Sequence, residues 1–197
     1  PYSVDGMAEA LAAFLATLER PLVVGHSLGG HVTMRAMALA PNVRGAMVFG
    51  APPLRSAADI PLAYLPHPDL AKAYTADLTT ADATLLATAM TWPTCPRIAE
   101  LADTILRTDS RVRSDLGAEL GSGRIPDEQA MVRASGKPFC MLHGTDDPFL
   151  SLPWFEALAP SLCWEGRLVP VAGAGHFPQL QQPEAFHTAL ARFAQHA

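Results

Sequence analysis

A serine at position 27, an aspartate at 147 and a histidine at 176 are the residues of this sequence whose types, order and spacing could do chemistry. Ser27 sits in Gly25-His26-Ser27-Leu28-Gly29, a G-x-S-x-G pattern that holds a serine on a tight strand-to-helix turn accommodating only small neighbours. A serine hydroxyl is a weak nucleophile at neutral pH, so a base must take its proton and a third group must orient that base. Both follow downstream. Asp147 lies in His143-Gly144-Thr145-Asp146-Asp147-Pro148, 120 residues on, and His176 in Gly173-Ala174-Gly175-His176-Phe177, a further 29 residues on. The chemistry implied is acyl transfer to water: Ser27 attacks an ester or lactone carbonyl, His176 acts as base and Asp147 holds His176. Asp146 is the rival acid, since one of two tandem aspartates in a turn usually caps the loop or the next helix.

The pattern alone is weak, because three such positions arise by chance in roughly one chain of this length in fifteen. Its surroundings supply the specificity. Leu22-Val23-Val24 is a short β-favouring run that ends in the motif, and His31 to Ala40 resumes helical composition until Pro41. Gly29 and Gly30 let that helix lie close to neighbouring backbone. Ser27 then stands at a helix N-terminus, where the Leu28 N–H points at the oxyanion formed on attack. Ser3 can cap an earlier helix ending near Arg20-Pro21, with Met7, Leu11, Phe14, Leu15 and Leu18 on its core face. Further strands are expected at Gly45–Gly50, Phe139–His143 and Arg167–Val171, and strands alternating with helices imply an α/β fold with a mostly parallel sheet flanked by helices. Pro170 places the last run at an edge or strand end.

Between Pro53 and Pro138 the alternation gives way to Ala/Leu/Thr-rich helical stretches broken at Pro61, Pro66, Pro68, Pro93 and Pro96, with a Gly121-Ser122-Gly123 tract. The reading is a core of residues 1–53 and 136–197 carrying a helical cap of residues 54–135. Leu85, Leu86, Met90 and Trp92 recur at helix-like spacing and suggest an apolar substrate pocket, although core packing explains the same stripe; His26 and Phe177 are further pocket candidates. His26 and His31 flank the nucleophile on its own turn and helix, so pocket lining or surface suits them better than a role as base. His143 reads as a packed, hydrogen-bonded core histidine, and His67, His187 and His196 as solvated. No H-x-H-x-D-H or H-E-x-x-H occurs, so neither a metal nor another cofactor is expected. A net charge of −5 with 14 Lys+Arg offers no basic stripe for nucleic acid, and a small neutral ester or lactone is the expected partner. Three scattered cysteines imply no disulfide framework, and apolar runs fall short of about 18 residues needed to span a bilayer, so the expectation is a cytoplasmic protein that is not membrane-bound.

The segments GHSLGG, HGTDDPF and GAGHFPQLQQPEAF resemble the nucleophile, acid and histidine motifs of the α/β-hydrolase superfamily. More narrowly, YSVDGMAEAL, SLGGHVTMRAMALAPNVRGAMVFGAPPL, RTDSRVR, GSG and LCWEGRLVPVAGAGH resemble the capped serine hydrolases that include N-acyl-homoserine lactonases; Ala58 to Ala99 matches poorly. The resemblance implies the α/β-hydrolase fold and favours Asp147 as acid, three residues after Gly144. It also implies N-terminal strands ahead of the Pro1 to Arg20 helix and a His-Gly loop giving a second oxyanion donor, so this sequence is expected to be the remainder of a longer protein. The expected activity is ester or lactone hydrolysis, with N-acyl-homoserine lactone ring opening as the lead. A general short-chain carboxylesterase, a cofactor-free perhydrolase and a non-catalytic fragment or subunit are the alternatives.

Overall fold

Ser3 opens the first helix in the computed structural model of the chain, which describes residues 2–197; Pro1, the expected start of the core, lies outside the described residues. The Ser3 hydroxyl accepts from the Gly6 N–H at 3.0 Å and so satisfies one unpaired donor at the start of α1 (Val4–Leu15). This helix turns Val4, Ala8, Ala12 and Leu15 inward. Phe14 and Leu18, expected on the buried face, are exposed instead. The stripe is displaced because α1 ends at Leu15 and because small Ala8 and Ala12 are what allow it to close onto the next helix, α2 (Leu28–Leu39).

β1 (Leu22–His26) runs into α2, and β2 (Gly45–Phe49) returns beside β1. After β2 come α3 (Ile60–Ala63), α4 (Thr80–Met90), α5 (Ile98–Arg107), α6 (Ser110–Gly121) and α7 (Glu128–Ser135). The chain then completes the sheet with β3 (Phe139–Gly144), α8 (Leu152–Leu162) and β4 (Val169–Val171), and ends in α9 (Pro178–Gln181) and α10 (Pro183–His196). The four strands are parallel in the order β1-β2-β3-β4, with Val24 opposite Met47, Val48 opposite Met141 and His143 opposite Pro170. β4 is shorter than expected and sits at the sheet edge, where Pro170 removes no inner ladder donor.

Alternating strand residues feed two cores. Ala46, Val48, Phe139 and Met141 join the layer of α1, α2, α7 and α8, whereas Met47, Phe49, Cys140 and Leu142 meet Phe186 and Phe193 of α10. Burial on both faces is why these strands read as continuous apolar runs. In the insert, α4 and α5 pack through Ala83, Ala87 and Ala102 into a small core of their own, separated by the turn carrying Pro93 and Pro96. Pro61 does not break a helix; it occupies the first turn of α3, where no N–H is required. Helix α7, placed in the cap by composition, packs on α2 and α8 and buries Val132 in the main core.

Candidate active site

The turn between β1 and α2 forces Ser27 into φ 52°, ψ −123°, a left-handed backbone that non-glycine residues rarely adopt and that costs about 1–3 kcal/mol. The Ser27 N–H donates to the Phe49 carbonyl at 2.9 Å, so the strained residue is pinned to the end of β2. A Cβ on Gly25 would stand 2.5 Å from both the Gly29 carbonyl and the Thr33 hydroxyl, and one on Gly30 would collide with the Ala51 methyl. Those two glycines are sterically required. Gly29 is not, since a Cβ there would meet nothing within 4 Å. Leu28 opens α2, so its N–H has no intrahelical acceptor and is free for a substrate oxygen.

Residues from two further sheet-end loops converge on this turn. Asp147 follows β3 and is 6% exposed; His176 follows β4 and is 4% exposed. His176 Nδ1 lies 2.8 Å from Asp147 Oδ2, and His176 Nε2 lies 3.1 Å from Ser27 Oγ. A carboxylate only accepts, so Nδ1 carries the hydrogen and the Nε2 lone pair faces the serine hydroxyl. The other Asp147 oxygen accepts from the Phe149 N–H at 2.9 Å, which fixes the carboxylate plane. Asp146 is exposed and accepts from the Thr145 hydroxyl at 2.9 Å, away from His176. Burial pushes the Cys140 and Cys163 thiols up to about 12 and about 11, so both stay protonated and neither is an alternative nucleophile.

His26 and Phe177, expected to line the substrate pocket, sit behind His176 instead. The His26 Nε2–H donates to the His176 carbonyl at 2.8 Å, its ring stacks on Phe49 at 4.7 Å, and Phe177 meets it edge-on at 4.6 Å. Burial, together with the nearby His176, pushes the His26 imidazole down to about 4. A Cβ on Gly50, at φ 66°, would stand 2.9 Å from His176 Cε1, so β2 ends in glycine where the histidine packs.

Ser27 and His176 open into a chamber of about 260 Å³ that is lined by Leu86, Met90, Leu116, Tyr64 and Phe149 among others. Leu86 and Met90 face this chamber from α4. Leu85 and Trp92 do not: they line a separate open depression with Asp146, because consecutive positions on α4 face different sides and Trp92 lies beyond its end. His143 is buried and stacked on Phe155 at 4.4 Å, but both ring nitrogens are without a partner among the described residues, contrary to the hydrogen-bonded role expected of it. Burial lowers its pKa and keeps it neutral. His187 and His196 are exposed, whereas His67 is half-buried with its ring edge-on to Phe149.

The sequence reading missed a buried polar group beside the chamber. Glu128, fully buried, accepts from His31 Nδ1 at 2.9 Å, from Arg35 Nε at 3.1 Å and from the Leu54 N–H at 3.2 Å. Burial works to raise its pKa, but the positive charges of His31 and Arg35 and these hydrogen bonds outweigh that and hold the carboxyl below its usual range. His31 and Arg35, four residues apart on one helix face, were the available signal. Nothing near Glu128 in sequence distinguishes it from a surface acid. Among the described residues no group of three or more His, Cys, Asp or Glu could hold a metal ion, and no helix is long and apolar enough to cross a membrane.

Comparison with known proteins agrees with this architecture. The chain resembles the solved N-acyl homoserine lactonase AidH complexed with N-butanoyl homoserine, with 29% identity and a TM-score of 0.87 over 98% of this chain and 70% of that one. An AidH mutant complexed with N-hexanoyl homoserine lactone is similar at 28% identity and a TM-score of 0.88, over 98% and 71% of the two chains. Esterase RhEst1 from Rhodococcus sp. ECU1013 shares the fold at 22% identity and a TM-score of 0.78, over 98% and 73%. No curated protein matches. The profile of the alpha/beta hydrolase family matches residues 1–189, and with the sheet, the serine turn and the two loops that converge on it in place, the chain belongs to that family.

Proposed function

We propose that this chain hydrolyses a carboxylic ester or lactone through an acyl-enzyme on Ser27, with N-acyl-homoserine lactone ring opening as the leading substrate reading. The observation that carries the proposal is the hydrogen-bonded run Ser27–His176–Asp147 at the wall of an apolar chamber. Ser27 Oγ attacks the carbonyl carbon while His176 Nε2 takes the hydroxyl proton, and the Leu28 N–H donates to the oxygen that becomes negative. Asp147 holds the ring tautomer and stabilises the imidazolium. Collapse of the tetrahedral intermediate breaks the acyl C–O bond, and the departing alkoxide takes the proton from His176. Water then attacks the acyl-Ser27 ester while His176 takes its proton; the acyl C–O bond to Ser27 breaks, His176 returns the proton to Ser27 Oγ and the acid is released. For a lactone the alcohol stays tethered to the acyl group. The likeness to lactonase structures at 28–29% identity supports this substrate class.

The test is lactone ring opening measured against p-nitrophenyl butyrate hydrolysis, with a metal chelator present and Ser27→Ala as control. A lactone preference that vanishes in the variant is expected. Preference for the simple ester would make this a general esterase, and a Ser27→Ala variant within tenfold of the parent would refute the mechanism.

A further inference from the structure

Beside the chamber lies a second cavity of about 70 Å³, whose walls include Arg35, Glu119, Arg124 and Glu128. Both spaces are lined mostly by apolar side chains, but only the first holds Ser27, and only the second carries the buried Arg35–Glu128 pair on its wall. Leu28, His31, Tyr64, Tyr74 and Leu116 line both and so form the boundary between them.

Tyr64 is anchored at both ends. Its backbone bridges antiparallel to Leu150 in the loop that carries Asp147, with the Leu65 N–H donating to the Phe149 carbonyl at 2.8 Å and the Ser151 N–H to the Ala63 carbonyl at 2.9 Å. Its hydroxyl reaches across to α2, 3.1 Å from His31 Nε2. The Glu128 carboxylate claims the His31 Nδ1–H, and the Tyr64 hydroxyl pairs with the other ring nitrogen. Burial pushes the Tyr64 phenol well above its usual range, so the ring stays uncharged. The ring is thereby held by two elements that also carry Asp147 and Ser27.

We infer that Tyr64, latched through His31 to Glu128, is the partition that limits how long an apolar substrate chain the chamber accepts. This inference rests on the hydrolase reading above and adds a specificity-determining residue to it. An alkyl chain passing the partition would enter a small space lined by Val4, Leu54, Leu120 and Ile125 beside the buried Arg35–Glu128 pair. With the ring in place the chain ends against carbon. The space behind it is about two water volumes of ~30 Å³ each, or about two methylenes.

The experiment compares kcat/KM for p-nitrophenyl butyrate, hexanoate, octanoate and decanoate, with a parallel series of alkyl butyrates, in the parent and in Tyr64→Ala. Burying a methylene is worth about fourfold, so opening the partition should raise the decanoate-to-hexanoate ratio, or its alcohol-side equivalent, by about fivefold or more. Tyr64→Phe keeps the ring without its latch and should raise the same ratio by a smaller factor, about twofold. Should Tyr64→Ala fail to fold, Tyr64→Leu removes the ring while keeping an apolar filler. A uniform change across both series in the ring-removing variant overturns the partition, and a Tyr64→Phe profile identical to the parent overturns the latch. If instead the parent cleaves no ester and a fluorophosphonate probe does not label Ser27, the hydrolase reading itself fails.

Discussion

Lowering the pH should destabilise this protein through His26, and the size of the effect follows from its surroundings. The ring donates to the His176 carbonyl at 2.8 Å, is sandwiched by Phe49 and Phe177, and is pushed down to about 4. In the unfolded chain it would titrate near 6.5. Above that value neither state binds the proton and the fold keeps its full stability. As pH falls from about 6.5 to 4 the unfolded state takes up a proton that the folded state refuses, so stability is lost across that window. The full loss from this one group is about 3 kcal/mol. The assay is urea unfolding at a series of pH values for the parent and for His26→Gln, whose amide can still donate to the His176 carbonyl but does not titrate. Groups such as His143 and Glu128 titrate in both proteins and cancel in the difference. The parent should lose about 2–3 kcal/mol more than the variant on going from neutral pH to near pH 4. Parallel stability curves would refute the reasoning.

Other substitutions test the site and its scaffold. Asp147→Asn should lower kcat by about 10⁴ through the wrong His176 tautomer, while Asp146→Asn stays close to the parent, as steady-state kinetics on any accepted ester will reveal. Ser27→Gly should abolish turnover yet raise the unfolding free energy by about 1 kcal/mol, because glycine tolerates the φ of 52° that serine endures there. Thermal melts should separate the two helical glycines: Gly30→Ala costs about 1–3 kcal/mol by collision with Ala51, whereas Gly29→Ala is neutral or stabilising by up to about 1 kcal/mol. Glu128→Ala should cost about 3–5 kcal/mol in a denaturant titration, since it leaves Arg35 buried with a partner missing.

What this sequence determined by itself is the local and periodic part of the protein. The β-favouring run, the small residues around Ser27 and the helical composition after it are written within a few positions, and the structure builds a strand, a strained turn and a helix from them. The order of Ser27, Asp147 and His176 was legible for the same reason: each follows a strand, and parallel strands bring their following loops to one end of the sheet. Tertiary structure alone decided what lies opposite what. The loop after β3 turns Asp147 inward to His176 and leaves Asp146 exposed, and Trp92 stands outside the chamber because α4 ends before it. His26 became a support for His176 rather than a pocket wall, and α7 joined the core rather than the cap. Glu128 stands 97 residues from His31 and 93 from Arg35, so only packing α7 on α2 could make a buried carboxylate there cheaper than an apolar residue, which would leave the His31 Nδ1–H and the Arg35 Nε–H without an acceptor.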